Sequence, residues 1–194
     1  MTNYVKIFDK PNHDLIIPEG FKAITADQRQ RNHERVTVVR YQRPGKVEPN
    51  NAHVTVIYGS DQRLISYNNF AIETHAALPG ERVAIDKANQ VFERLDSAYA
   101  SGLTFMRVDR LSRTFRDDQG QVINIPILWV KFAHQNGSYN WVSIGADNQV
   151  VEVERESNWD YFRSRRATEE WNYDHWVLAR MGRGPQLEAP EALA

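Results

Sequence analysis

The chain has 194 residues, and its 24 lysine and arginine residues against 25 aspartate and glutamate residues give a net charge of −1. This balance lacks the basic surplus of a general nucleic-acid binder or of a protein that lies on an anionic membrane. The absence of cysteine excludes a thiol nucleophile, a disulfide and any cysteine-ligated metal. The length suits one ordinary domain or two small ones.

No segment of the sequence is typical of a membrane span or a targeting signal. No window reaches the roughly 18 consecutive apolar residues of a membrane span. The residues after Met1 form no apolar stretch of the kind found in signal peptides. We therefore expect a cytoplasmic protein, with a longer, exported precursor as the alternative.

The first third of the chain predicts a short strand, a helix and a three-stranded meander. Val5, Ile7 and Phe8 favour a strand, and Thr25 resembles the start of a short polar helix that runs to Arg35. Alternating β-branched residues joined by tight turns then predict antiparallel strands. These strands are Val36–Tyr41, His53–Tyr58 and Leu64–Tyr67, and Gly59–Gln62 is the turn between the last two.

A longer helix is predicted in the middle of the chain. Apolar residues recur at the i, i+3, i+4, i+7 spacing from Ile85 to Tyr99, which places them on one helical face. Asp86 lies where it can cap this helix, and Gly102 follows as a C-cap. The face that we expect to pack on a sheet consists of Ala88, Val91, Phe92, Leu95 and Tyr99.

A second run of strands follows the helix, and the chain then returns to helix. The predicted strands are Leu103–Phe115, Val122–Phe132, Trp141–Ile144 and Val150–Val153. A helix is predicted from Ser157, with a restart at Thr168. Residues 182–194 are rich in glycine, proline, alanine and glutamate without periodicity, which predicts a disordered tail.

The two halves of the chain resemble each other. The run Val56–Ile65 matches Val142–Val151, which lies 86 residues later, with glycine and aspartate at the same places. Upstream, Val39–Tyr41 corresponds to Val130–Phe132. The pattern predicts an internal duplication. The alternative is that two unrelated meanders share turn chemistry, because tight turns demand glycine, aspartate and asparagine.

These features together resemble the PepSY-like family, which includes the propeptide domains of bacterial secreted metallopeptidases. The segments that carry the resemblance are Val39–Tyr41, Tyr58–Tyr67, Asp86–Ala88, Trp129–Phe132 and Tyr139–Val151. It covers residues 36–155 in all. Two features depart from the family: Gln62 and Asn148 replace the second turn glycine, and no export signal is visible although members are usually exported.

The resemblance implies an α+β fold in which curved, antiparallel, cystatin-like sheets are each packed with a helix. It implies an N-terminal unit at residues 1–78 and a C-terminal unit at residues 79–181, followed by the tail. It also implies a non-enzymatic role as an inhibitory or protein-interaction module. A small ligand-binding protein or enzyme with a pocket in the concave face of the sheet is the alternative, and an oligomeric structural subunit is a third interpretation.

One cluster in the C-terminal region is a candidate surface for an acidic or peptide partner. Arginine and tryptophan are enriched in such surfaces and lie close together in this part of the sequence. The cluster consists of Arg163, Arg165, Arg166, Trp171 and Trp176. The alternative places the tryptophans in the core and pairs the arginines with Glu169 and Glu170.

Other residue patterns do not indicate catalysis. The six histidines stand at no metal-ligand spacing, and the sequence contains neither a nucleophile elbow nor a phosphate-binding loop. Glu152 and Glu154 share one face of a strand, which we interpret as the solvated face of an edge strand. We therefore expect no metal, no cofactor and no catalytic residue, and a protein or peptide as the partner.

Overall fold

The protein is built around one large antiparallel β-sheet. The computed structural model describes residues 3–72 and 76–194. Its first strands are β1 (Asn3–Ile7), β2 (Lys10–Ile17), β3 (Lys22–Arg31), β4 (Glu34–Gln42), β5 (His53–Tyr58) and β6 (Leu64–Phe70). Next come α1 (Glu81–Leu95), α2 (Ser97–Ala100), β7 (Leu103–Arg116), β8 (Val122–His134), β9 (Tyr139–Ile144) and β10 (Val150–Ser157). The C-terminal region contains β11 (Trp159–Asp160), β12 (Arg165–Arg166) and α3 (Asp174–Arg180).

Eight strands form the sheet as two meanders. Strands β3 to β6 follow one another as neighbours, and so do β7 to β10. The last strands of the two meanders, β6 and β10, pair in antiparallel fashion with Tyr67 opposite Val153. The order across the sheet is therefore β3-β4-β5-β6-β10-β9-β8-β7, with β3 and β7 at the edges. This mixed architecture agrees with the predicted α+β class.

The two meanders pair in the same register. Ile57 is opposite Ser66 in the first meander, and Ser143 is opposite Glu152 in the second, with a bulge next to the turn in both. Each of these residues lies 86 positions from its counterpart. The outer pairs, β3–β4 and β7–β8, also carry corresponding bulges. The corresponding strands therefore pair alike near the turns, whereas β10 has a second bulge between Glu154 and Ser157 that is absent from the described pairing of β5 with β6.

The turns that close the two inner hairpins share one hydrogen bond but differ inside. The Gly59 N–H donates to the Arg63 carbonyl at 2.9 Å, and the Gly145 N–H donates to the Gln149 carbonyl at 2.9 Å. The second turn contains two non-glycine residues with positive φ, whereas the first contains one. Gly145 is constrained, because a Cβ at this position would lie 2.9 Å from the Val151 side chain.

One face of the sheet is apolar and packs against α1 and the β1–β2 hairpin. The buried residues of α1 are Ala84, Ala88, Val91 and Phe92. The Phe92 ring meets Phe132 of β8 edge to face, with 5.5 Å between ring centroids. Three residues of the predicted face, Ala88, Val91 and Phe92, are therefore buried on the sheet. The prediction of one continuous helix to Tyr99 is wrong, because the helix is interrupted at Asp96 and Tyr99 belongs to α2.

The C-terminal region covers the opposite face. Val36, Ile57 and Ile65 form a small apolar cluster there, with Trp171 packed against it. Further along the sheet a second apolar cluster includes Phe115 of β7. The middle of this face, between the two clusters, is polar.

The helix predicted from Thr25 to Arg35 is wrong, because this segment belongs to edge strand β3 and its turn. The strand pairs with β4 through a two-residue turn at Asn32 and His33, whose φ angles are 49° and 65°. Two positive φ angles match the twist of a tight hairpin. Polar residues that suggested a solvated helix line the exposed part of an edge strand instead. Among the described residues the first meander has no helix, whereas the resemblance implied one for each unit.

Two other predicted helix positions also differ. Helix α1 begins at Glu81 after Gly80, so Asp86 lies in its interior and caps nothing. The helix predicted from Ser157 is wrong, because β11 and β12 form a small hairpin there. The Asp160 carboxylate accepts a hydrogen bond from the Arg163 N–H at 3.0 Å, which stabilises the connecting turn.

The C-terminal segment 182–194, predicted as a disordered tail, lies against the body of the protein. Ala192 is only 1 % exposed. The Arg166 N–H donates to the Pro190 carbonyl at 2.8 Å. The segment is therefore placed by specific hydrogen bonds and one buried side chain, neither of which its composition reveals.

The packing of α1 yields a stability prediction. Phe92→Ala should lower the free energy of unfolding by about 3–5 kcal/mol, because it removes a buried aromatic ring and leaves a cavity. Glu93→Ala, at the neighbouring exposed position, should change it by less than about 0.5 kcal/mol. Urea unfolding followed by circular dichroism measures both. Similar losses in the two variants would contradict the assignment of the buried face.

Candidate functional site

Two glutamates of β10 are buried in the middle of the polar face. Glu152 is 0 % exposed and Glu154 is 2 % exposed. The prediction that they face solvent from an edge strand is wrong. Strand β10 lies at the centre of the sheet between β6 and β9, and the C-terminal region covers its polar side. The alternating residues of β10 therefore point to opposite faces of the sheet. Val153 points into the apolar core, and Glu152 and Glu154 point into a buried polar layer.

Glu152 is held by donors from four elements. Arg113 of β7 donates through Nε to Oε1 at 2.7 Å, and Tyr173 donates its hydroxyl to the same oxygen at 3.1 Å. Ser143 and Asn68 donate as well. Burial alone would raise the pKa of Glu152, but the Arg113 charge and these hydrogen bonds hold the pKa below its ordinary value. The carboxylate is therefore ionised and fully engaged inside the protein.

Glu154 joins the far edge of the sheet to its centre. Arg31, at the end of β3, donates to Glu154 Oε1 at 2.7 Å, and both side chains are almost completely buried. Asn172 connects the two glutamates. It donates to Glu154, and its Nδ2 donates to Asn68 Oδ1 at 2.8 Å, while Asn68 in turn donates to Glu152. The two glutamates thus belong to one hydrogen-bonded network. Removing one member would leave another buried and unpaired.

A histidine lies at one end of this polar face. His53 Nδ1 is 2.6 Å from the Asn51 carbonyl, so this nitrogen carries the proton. His53 Nε2 has no hydrogen-bond partner and lies 4.0 Å from the Asp174 carboxylate, which Arg40 binds at 2.7 Å. Burial, together with the Arg40 charge, lowers the pKa of His53 to about 4. The ring is therefore neutral at pH 7.

A cavity of about 190 Å³ adjoins His53 and Asp174. Ser112 and Thr114 also line it. Among the residues that the structure describes, no hydrogen bond joins His53 to either hydroxyl. The arrangement therefore supplies an unprotonated imidazole nitrogen without an aligned nucleophile.

A groove crosses the apolar face of the first meander, beside the β1–β2 hairpin. It consists of two adjoining hollows of about 510 and 570 Å³ that share Lys6 and Tyr58. Its floor and walls combine aromatic, polar and basic side chains. Other lining residues include Gln28, Arg35 and Thr37 of the first hollow, and Phe21, Lys22 and Tyr41 of the second.

The groove corresponds to the surface that α1 covers on the second meander. The strand pairing matches Thr37 with Leu128, and Tyr41 with Phe132. Leu128 and Phe132 belong to the core under α1. On the first meander the β1–β2 hairpin covers only part of the equivalent surface, so Thr37 and Tyr41 remain partly exposed. The groove is the part of this equivalent surface that the β1–β2 hairpin leaves open.

The five residues of the predicted partner surface do not form one exposed surface. Trp176 is fully buried, and the Trp171 indole N–H donates to a backbone carbonyl of β3 at 2.8 Å. Arg165 donates to carbonyls of the C-terminal segment, and Arg166 lies over a tryptophan ring of β9. Arg163 is largely exposed. Trp176 is thus in the core, as in the alternative, whereas Trp171 is half-buried against the cluster of Val36, Ile57 and Ile65.

Within residues 3–72 and 76–194, no group of three or more histidine, aspartate or glutamate residues is arranged to hold a metal ion. No helix in the part of the chain that the structure describes is long and apolar enough to cross a bilayer.

Comparisons with protein-family models, with curated proteins and with solved structures find no match. Function is therefore inferred from geometry.

The buried ion pair can be tested against an exposed one on the same strand. Arg113→Ala should lower the free energy of unfolding by about 3–5 kcal/mol, because Glu152 would stay buried without its cation. Arg110 lies 3.6 Å from Glu81 at the surface, so Arg110→Ala should cost less than about 0.5 kcal/mol. Urea unfolding at pH 7 compares them, and equal small losses would show that Glu152 is not sealed from water.

The neutral state of His53 predicts a pH dependence. Because the pKa of His53 is about 4 in the folded protein and its ordinary value is 6.5, the folded state binds fewer protons than the unfolded state between these values. Stability should therefore fall as the pH decreases from 6.5 to 4. NMR titration of the His53 ring measures the pKa directly. A midpoint near the ordinary value would contradict the burial of this ring.

Proposed function

We propose that this protein is a non-enzymatic binding or regulatory module of PepSY-like type, formed by two PepSY-like units in tandem. The two units share one sheet, and the groove on the first unit holds a segment of a protein partner. The observation that carries the proposal is the correspondence between this groove and the seat of α1.

The equal pairing of the two meanders supports a tandem origin. Strand order agrees between β3–β6 and β7–β10, and so do the bulges next to the inner turns and in the outer strand pairs. Shared turn chemistry alone would favour similar turns, but it would not place the bulges of the outer strand pairs at matching positions. Duplication of one ancestral unit accounts for the strand order and these bulges together, and the different interiors of the two turns and the second bulge of β10 are then later changes.

The correspondence with α1 also favours a helical partner. The second meander shows that this sheet surface accepts a helix with a buried face of small and aromatic side chains. On the first meander, Tyr41 and Tyr58 present rings with hydroxyl groups at the equivalent places. Such amphipathic side chains suit an interface that is wet when free and buried when bound.

The charges around the groove favour an acidic partner. Lys6, Lys22 and Arg35 line it against a single acidic residue, Asp9. A partner helix with an apolar face and acidic flanks would place opposite charges at the rim, which increases the association rate and fixes the orientation.

The buried polar network supports a non-enzymatic role. Glu152 and Glu154 are paired with Arg113 and Arg31 inside the protein. Their charges hold the C-terminal region and the edge strands on the sheet. Arg113 borders two cavities, but neither buried glutamate lines either of them. Acid–base chemistry on a substrate would require one of these carboxylates to face an open cleft.

A synthetic helical peptide tests the groove. The probe is a fluorescein-labelled amphipathic peptide of about 18 residues with a leucine face and glutamate flanks, long enough to form several helical turns. We expect it to bind the protein in a fluorescence anisotropy titration, and we expect the same peptide with lysine flanks not to bind. The double variant Lys6→Glu/Lys22→Glu should bind the acidic peptide at least about tenfold more weakly, because opposite charges become like charges.

The control variant carries the same change in net charge away from the groove. Lys46→Glu/Arg183→Glu alters two exposed residues that do not line it. Its affinity for the acidic peptide should equal that of the unmodified protein. Equal losses in the two double variants would show a long-range charge effect only, and equal binding of the acidic and basic peptides would refute the proposed complementarity.

A further inference from the structure

The C-terminal segment, residues 184–194, lies on a site formed by Arg165, Arg166 and Glu170, which we call the cradle. Arg165 donates through Nη2 to the Leu187 carbonyl at 2.6 Å and through Nε to the Glu191 carbonyl at 2.8 Å. The Arg166 N–H donates to the Pro190 carbonyl at 2.8 Å. The segment makes a turn at this place, because the Glu191 N–H donates to the Glu188 carbonyl at 3.1 Å. Two consecutive residues of β12 thus bind three main-chain carbonyls of a turned segment.

A buried carboxyl group completes the cradle. Glu170 is 1 % exposed, and its Oε1 accepts a hydrogen bond from the Ala192 N–H at 3.1 Å. Arg166 Nη1 lies 3.0 Å from the same oxygen. Glu170 Oε2 accepts no hydrogen bond. Its neighbour on the segment is the Glu191 carboxylate, which interacts with it directly.

Glu170 favours its protonated form at this place. Burial and the Glu191 carboxylate raise the pKa of Glu170 to about 8 although the Arg166 charge opposes them. A neutral Glu170 is compatible with a buried Oε2 that accepts no hydrogen bond. The other charged or titratable groups at this place are Arg113, Tyr173 and His175, which line a cavity of about 280 Å³ beneath the segment.

We propose that residues 184–194 are a tethered ligand of a peptide-binding cradle formed by Arg165, Arg166 and Glu170, and that the cradle accepts an acidic peptide with the same turn from another molecule when the tether leaves. The main-chain contacts fit any peptide that makes this turn, because every residue offers a carbonyl. Selectivity comes from two positions: a small side chain at the buried Ala192 place, and a carboxylate at the Glu191 place beside Glu170.

This cradle is separate from the groove of the proposed function. The cradle lies under the C-terminal segment on the polar side of the sheet, whereas the groove lies beside the β1–β2 hairpin on the apolar side. Binding at one place can therefore be lost while binding at the other is kept.

A fluorescein-labelled peptide of residues 184–194 tests the cradle on the 194-residue chain. Ala192→Arg should displace the tethered segment, because the buried Ala192 site has no room for an arginine side chain. We expect this variant to bind the free peptide at least about tenfold more tightly than the unmodified protein, in which the tether competes at millimolar effective concentration. Leu193→Arg changes the exposed neighbour, so its affinity should match that of the unmodified protein.

Two further measurements separate the cradle from a general effect of the substitution. Adding Arg165→Ala to Ala192→Arg should abolish binding, since it removes the donors to two carbonyls. The affinity of Ala192→Arg should fall as the pH rises towards 8, by at most about tenfold per pH unit for one proton, and then level off. Glu170→Gln in that background should remove this pH dependence. If Ala192→Arg, folded by circular dichroism, binds the peptide no more tightly than Leu193→Arg, the proposal is refuted.

Discussion

The pairing of β6 with β10 is the interaction on which the whole structure depends. It joins two four-stranded meanders into one sheet, with Asn68 opposite Glu152 and Ser66 opposite Glu154. Without it each meander would expose an inner edge strand, which is a template for aggregation. Because Tyr67 lies directly opposite Val153 in this register, both meanders turn their apolar side chains to the same face of the sheet. The polar sides meet at the centre of the opposite face, where the C-terminal region covers them.

That polar centre specifies how the C-terminal region sits on the sheet. Burying Glu152 and Glu154 is costly unless each carboxylate keeps its cation and its hydrogen bonds. Arg113 belongs to edge strand β7, and Arg31 belongs to β3 at the opposite edge. Asn172 and Tyr173 come from the covering C-terminal segment. An apolar centre would allow the segment to slide, whereas directional hydrogen bonds favour one position.

Local patterns in the sequence predict the parts of the fold that depend on near neighbours. Helix α1 and the turns at Gly59 and Gly145 follow from periodicity and turn chemistry within a few residues. The burial of Glu152 depends instead on which strand is central, and on a partner 39 residues away. The edge strand β3 was missed because its polar residues lack the alternation of a half-buried strand. The side-chain donors of Asn172 and Tyr173 are the sequence signal that fits a buried polar face, because they bind the glutamates of β10.

The claim that two like meanders form one cooperative sheet is tested most directly by native-state hydrogen exchange. The amides of β6 and β10 at the join, and those of β5 and β9 inside each meander, report the free energy of opening separately. If the β6–β10 pairing holds the fold together, all four strands should open with one common free energy, equal to that of global unfolding. Two separate values, one for each meander, would contradict the account.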